Sequence, residues 1–127
     1  MKIEYVNGLI FVTIDIRYRG KFKTIKNVVI DTGAAESIIS PDAVDDIGIF
    51  AESEDRIISY YGVGGSVHNA YVKQIEELKI GDFKLNNIKM DFGIIDSKGK
   101  INGLIDLDIL IESCAIIDLK NFSLHLS

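Results

Sequence analysis

Between Leu9 and Ile16 the apolar residues Ile10, Val12, Ile14 and Ile16 fall on one side of an extended chain, and Leu9, Phe11, Thr13 and Asp15 on the other. A period of two marks a strand with one buried face, and the all-aliphatic set is the one expected to face the core. Tyr5 and Val6 precede this run, separated from it by Asn7-Gly8. That pair suits the two positive-φ positions of a two-residue turn, so the chain is expected to open with a hairpin. Arg19-Gly20 then turns the chain into a strand over 21–26, and 28–30 follow as a fully apolar strand.

Further apolar runs at 57–60, 70–75, 78–80, 83–85, 88–95, 114–119 and 122–126 are separated by turn formers: Tyr61-Gly62-Val63-Gly64-Gly65, Gly81-Asp82 and Lys120-Asn121. Two stretches read as helix. Ser40-Pro41 joins an N-cap residue to a proline at the first helical position, Asp42 adds negative charge in the first turn, and Gly48 is the expected stop. The stretch 107–113 carries Leu107, Ile109, Leu110 and Ile111, a pattern that fits either a helix or a strand. With a single proline and no linker-like segment, residues 1–127 are expected to form one mostly-β domain.

Composition narrows the setting. A chain of 127 residues can bury about two thirds of its unfolded surface in one domain. Hydrophobic residues at 47% and charged residues at 26% exclude a disordered tail. The net charge is −5 and the basic residues around Arg17 to Lys26 are scattered, which argues against nucleic acid as a partner. A single Cys114 cannot form an internal disulfide, and beside Ala115 and Ile116 it is expected to be a small buried hydrophobe. Glu4, Asn7-Gly8 and Asp15 interrupt the apolar N-terminal stretch, so neither a signal core nor a membrane span is expected, and the protein is expected to be cytoplasmic.

Most cofactor chemistries lack their signatures. His68 and His125 are far apart, Asp45-Asp46 and Asp106/Asp108 do not follow a calcium loop, and no G-K-[ST] follows the glycine-rich stretch. Neither a metal nor another cofactor is expected.

The chemistry concentrates in VVIDTGAAES, where an apolar strand runs directly into Asp31, Thr32 and Gly33. A carboxylate at such a place has to be hydrogen-bonded, paired or hydrated. The three residues alone describe an ordinary turn. They are followed, however, by a small residue, a second apolar stretch at Ile38-Ile39 and the Ser40-Pro41 helix start, and a later segment, Asn102-Gly103-Leu104-Ile105-Asp106-Leu107-Asp108, again joins an apolar run to a short helix.

VVIDTGAAESIIS, the glycine-tipped hairpin over 57–72 and NGLIDLDILIESCAIIDLKNFSLHLS, in that order and covering most of the chain, resemble the retropepsin-like aspartic proteases in their bacterial form. The resemblance implies a single-domain acid-protease barrel with one or two short helices and a flap hairpin, and an aspartic endopeptidase activity with Asp31 as the catalytic acid. By the same likeness Thr32 sends its hydroxyl across a two-fold axis and Gly33 lets the backbone approach the acid. Ala34 would lie on the cleft floor, and Gly62, Val63, Gly64 and Gly65 would form the flap tip, supported by Tyr60 or Tyr61. Val63, Ile94, Ile95 and Leu104 are candidate apolar walls for an extended peptide substrate. D-T-G occurs once, so the second carboxyl of a dyad has to come from an identical chain, which implies a homodimer with 122–126 as an expected interface strand. Glu36 and Ser37 are expected to be a solvated charge and a local hydroxyl contact. The chain departs from the family pattern at Asp106, where the closing motif repeats a glycine, and this aspartate is expected to cap the helix that begins at Leu107. The alternative reading is a non-catalytic dimerisation or peptide-binding module that keeps the fold.

Overall fold

The computed structural model describes residues 1–33, 36–61, 67–95 and 100–126. Strands β1 (Glu4–Val6) and β2 (Leu9–Tyr18) pair antiparallel with Val6 opposite Leu9. Asn7 and Gly8 have φ of 52° and 84°, the left-handed pair that a tight hairpin turn requires. Val12, Ile14 and Ile16 are buried and Ile10 packs at the edge of the core, as the alternation demands. The run at 21–30 is one strand, β3 (Lys21–Ile30), rather than two, and it passes through a positive φ of 59° at Asn27.

The remaining elements are β4 (Ile38–Ile39), β5 (Arg56–Tyr61), β6 (Val67–Ile80), β7 (Phe83–Gly93), β8 (Gly103–Ile105), α1 (Leu107–Glu112), β9 (Ala115–Asp118) and β10 (Ser123–Leu126). Strands β2, β3, β8, β4, β7 and β6 follow one another round a closed barrel, because β6 pairs with β2 as well as with β7. The barrel is filled by aliphatic side chains such as Ile14, Ile25, Ile39, Ile75 and Ile105, together with Phe92. Strand β6 runs through Glu76 and Glu77, which interrupt the apolar pattern but not the ladder. Glu77 still pairs with Asn86, and its carboxylate lies 3.7 Å from Arg17.

Two local expectations change. The Ser40-Pro41 segment forms two 3₁₀ turns, Pro41–Ala43 and Asp45–Ile47, instead of an α-helix, and Ser40 makes no side-chain cap. Between them Val44 leaves helical geometry with φ −132° and ψ 0° and is fully buried, while Gly48 ends the segment at φ 84° as expected. Cys114 is exposed rather than buried, because it takes the left-handed position (φ 53°) that turns the chain from α1 into β9.

Strand β8 lies parallel to β3 and antiparallel to β4, so it is squeezed between two backbones. A Cβ on Gly103 would stand 3.2 Å from the Ile38 carbonyl oxygen. Gly103→Ala is therefore expected to destabilise the fold by about 1–3 kcal/mol, read as a lower urea midpoint. Beyond α1, β9 and β10 pair antiparallel, and the N-terminal residues join them through Ile3 N–H to Phe122 O (3.0 Å) and Leu124 N–H to Met1 O (2.7 Å).

Candidate active site

Asp31 stands where β3 ends. The parallel register that sets Ile30 opposite Ile105 continues for one more bond, from Asp31 N–H to the Ile105 carbonyl at 2.9 Å. Its side chain is oriented locally: the Gly33 N–H donates to Asp31 Oδ1 at 2.9 Å. A Cβ on Gly33 would come within 3.2 Å of that oxygen, so glycine leaves the space the carboxylate occupies. Asp31 is half-buried, and Thr32 and Gly33 are exposed.

Leu104 is half-buried on β8, paired with Val29 on one side and Ile38 on the other, one residue before the Asp31 anchor. Past the end of β7, Ile94 is exposed and Ile95 half-buried. Strands β5 and β6 form the expected hairpin, with Tyr61 opposite Val67. Ala34, Gly62, Val63, Gly64 and Gly65 lie outside the described residues.

Behind Asp31 sits a network that sequence spacing does not reveal. Ser37 is buried, and its hydroxyl donates to Asp108 Oδ1 (2.6 Å) while accepting the Asp106 N–H (2.8 Å). Ser37 N–H donates to Asp108 Oδ2 at 3.0 Å, and Ile109 N–H donates to Asp108 Oδ1 at 2.8 Å. The hydroxyl contact of Ser37 is thus not the local one expected, since its partners lie 69 and 71 positions further along the chain.

Asp106 does not cap α1 with its side chain, contrary to expectation. Its backbone carbonyl accepts the first intrahelical bond, from Leu110 N–H at 3.1 Å, the first-turn Ile109 N–H is taken by Asp108 Oδ1, and the Asp106 carboxyl is buried instead. The residue is only 1% exposed, and its Oδ1 has no hydrogen-bond partner among the described residues. Burial first, then the negative charge of Asp31, then that of Asp108 push its pKa up to about 7.

A second acid pair lies alongside. Strand β4 sets Ile38 next to Asp91 on β7, and Glu36, although exposed, hydrogen-bonds the Asp91 side chain. Burial, that hydrogen bond and the charges of Glu36 and Asp108 raise the Asp91 pKa to about 6 against the opposing pull of Arg56. Among the described residues no cluster has the make-up of a metal site.

A half-buried carboxylate on a D-T-G turn, anchored to a parallel neighbouring strand inside a closed six-stranded barrel, can activate water if a second acid joins it. The family model described as aspartyl protease matches residues 14–109, which reach from β2 into α1. The chain belongs to the aspartyl protease family. The crystal structure of a retropepsin-like aspartic protease from Rickettsia conorii is similar to this family member with a TM-score of 0.67 and 17% sequence identity, over 98% of this chain and 95% of that one. At that identity the likeness bears on the fold, and it agrees with the mostly-β retropepsin-like barrel expected from the sequence. No curated protein matches this aspartyl protease family chain. No helix among its described residues is long and apolar enough to cross a membrane.

Proposed function

We propose that residues 1–127 form a single domain that supplies half of an aspartic endopeptidase. Asp31 meets Asp31 of a second copy across a two-fold axis. Two carboxyls that close share one proton. The ionised one takes a proton from water as the water oxygen attacks the peptide carbonyl, and the protonated one gives its proton to the carbonyl oxygen. Collapse of the tetrahedral intermediate breaks the C–N bond, and the leaving nitrogen receives a proton from the dyad.

The observation that carries this reading is the Asp31 turn itself, a half-buried carboxylate fixed by Gly33 N–H at the end of β3, present once per chain. Its exposed neighbour Thr32 has a hydroxyl free to cross the axis, and Gly33 keeps the approach to the acid open. The β5–β6 hairpin is the flap of this reading, over a substrate that binds as an extended strand. Leu104, Ile94 and Ile95 offer apolar surface for its side chains. Association is supported by apolar side chains left in water around α1 and the terminal hairpin: Ile111 is 70% exposed, Leu119 61% and Ile116 51%. A single cysteine suits a reducing, cytoplasmic setting.

A site divided between two copies has a concentration signature. Cleavage of a broad peptide library is expected to fall with the square of chain concentration once the protein is diluted below its dimer dissociation constant, as followed by sedimentation. A rate linear in a sedimenting monomer would reject the shared dyad. A stable dimer that cleaves nothing in the library would leave the peptide-binding module as the better reading.

A further inference from the structure

Among the described residues, Asp106 is the one buried acid next to the candidate catalytic turn that the proposed chemistry does not use. The parallel pairing of Ile30 with Ile105 and the bond from Asp31 N–H to Ile105 O bring the two aspartates to the same end of adjacent strands. Asp106 N–H is fixed by the Ser37 hydroxyl, and its carbonyl holds the first turn of α1, so the backbone cannot swing the side chain out to water without breaking both contacts. Among the described residues the carboxyl has no partner for Oδ1, in a place that is 1% exposed. The charged groups that act on it, among the described residues, are Asp31 at the end of β3 and Asp108 on α1, both negative. Asp108 is already tied to Ser37 Oγ, Ser37 N–H and Ile109 N–H.

We propose that Asp106 is a positioning residue for Asp31: its carboxyl has to be protonated for the Asp31 turn to stay packed on the end of β8, so its ionisation sets an upper pH limit on the site that is separate from the proton shared by the two catalytic acids. An ionised, unpartnered carboxyl in that space is too costly to keep dry. It has to draw in water or move out, and either response disturbs the Ile105 carbonyl that anchors Asp31 and the Ser37 bond beside it. Assembly of two copies would bring a further negative charge close by and strengthen the demand for a proton. The charge state of one residue thereby reaches the reacting groups through the backbone, without Asp106 touching substrate.

The activity arm of this inference rests on the proposed dyad, whereas the titration arm does not. Carbon-13 NMR of the aspartate carboxyls, with the Asp106 resonance identified by its loss in Asp106→Asn, is expected to show Asp106 titrating near pH 7 and moving to lower pH in Asp31→Asn. Titration in the ordinary carboxylate range would overturn the proposal whether or not the protein cleaves peptides. In pH profiles of kcat, wild type is expected to lose activity at the alkaline side with a slope steeper than one ionisation, because each of the two copies carries an Asp106, and Asp106→Asn with the slope of one. The Asp106→Asn limb is expected to extend to higher pH, with at least a threefold higher rate than wild type about one pH unit above the Asp106 titration. Superimposable alkaline limbs, or a limb moved to lower pH, would overturn the positioning role. Asp106→Gly serves as the second variant, since it removes the carboxyl without leaving an amide to be satisfied, and it should reproduce the single-ionisation slope. A protein with no peptidase activity in any variant but with the expected Asp106 titration would reject the endopeptidase reading and leave the coupling of Asp106 to Asp31 intact.

Discussion

Asp31→Asn is expected to abolish peptide cleavage, lowering kcat by about 10³- to 10⁴-fold, with dimer assembly and thermal stability close to wild type. The asparagine side-chain oxygen can still accept the Gly33 N–H that Asp31 Oδ1 accepts at 2.9 Å, and the backbone bond to Ile105 is unchanged. What disappears is the group that can hold a negative charge and take a proton from water. Mixing sharpens the test. When wild-type and Asp31→Asn chains exchange freely, each site needs two intact copies, so an equal mixture should show about a quarter of the all-wild-type activity. An activity near three quarters would mean that one acid per shared site suffices, and one near one half that each chain acts alone; in either case the shared-dyad account would fail. Retained cleavage in pure Asp31→Asn would remove Asp31 from the chemistry altogether.

Lys73→Met is expected to cost about 1–3 kcal/mol of stability, since it leaves the partly buried Asp55 carboxylate without its cation. The Lys73 side chain is 3% exposed on β6, with Nζ 2.5 Å from Glu52 Oε1 and 2.8 Å from Asp55 Oδ2. Burial by itself would lower the Lys73 pKa, but the hydrogen bonds to Asp55 and Glu52 outweigh it and the net direction is upward. Burial likewise pushes Asp55 up, and the bonds from Lys73 and from Glu52 N–H outweigh it, so that Asp55 ends below its ordinary 3.8. An acid depressed in the folded state contributes stability that is present above its unfolded pKa and is lost as pH falls through the folded value. Wild type should therefore lose stability on acidification below the ordinary aspartate range, and Lys73→Met, in which Asp55 has no cation to lose, should lose much less over the same interval. Methionine keeps the apolar stem of the lysine, so packing changes little and urea unfolding at several pH values reads the charge. A loss below ~1 kcal/mol would mean that the pair behaves as a surface contact.

The parts of this molecule that local rules govern were legible in the sequence. Asn7-Gly8 specified its turn because two left-handed residues in a row leave few alternatives, and the Ile10 to Ile16 alternation specified its buried face because a strand has only two. Asp31 could be singled out because a carboxylate at the mouth of an apolar strand demands an explanation. Residues brought together by distant pairing were not legible. Ser37, Asp106 and Asp108 meet because β8 inserts between β3 and β4, and Glu36 reaches Asp91 because β4 lies beside β7; no spacing along the chain announces either. Asp106 is the instructive case, since aspartate before a helix ordinarily means a cap. Here Asp108 Oδ1 takes a first-turn N–H, that of Ile109, and the Asp106 side chain is buried. The Ser40-Pro41 segment failed for a related reason: its capping residues favour a helix, but burying Val44 and Ile47 from so short a segment was better served by two tight 3₁₀ turns.

The insertion of β8 also has a bearing on when a working cleft can exist. The amide of Asp31 is anchored by a carbonyl that lies far downstream, in the last fifth or so of the chain, and that anchor is itself wedged between two strands which must already be in place. Contacts of such long range form late in folding. A growing polypeptide therefore carries its acidic turn unbacked until Ile105, 74 positions further on, has left the ribosome and β8 has taken its place between β3 and β4.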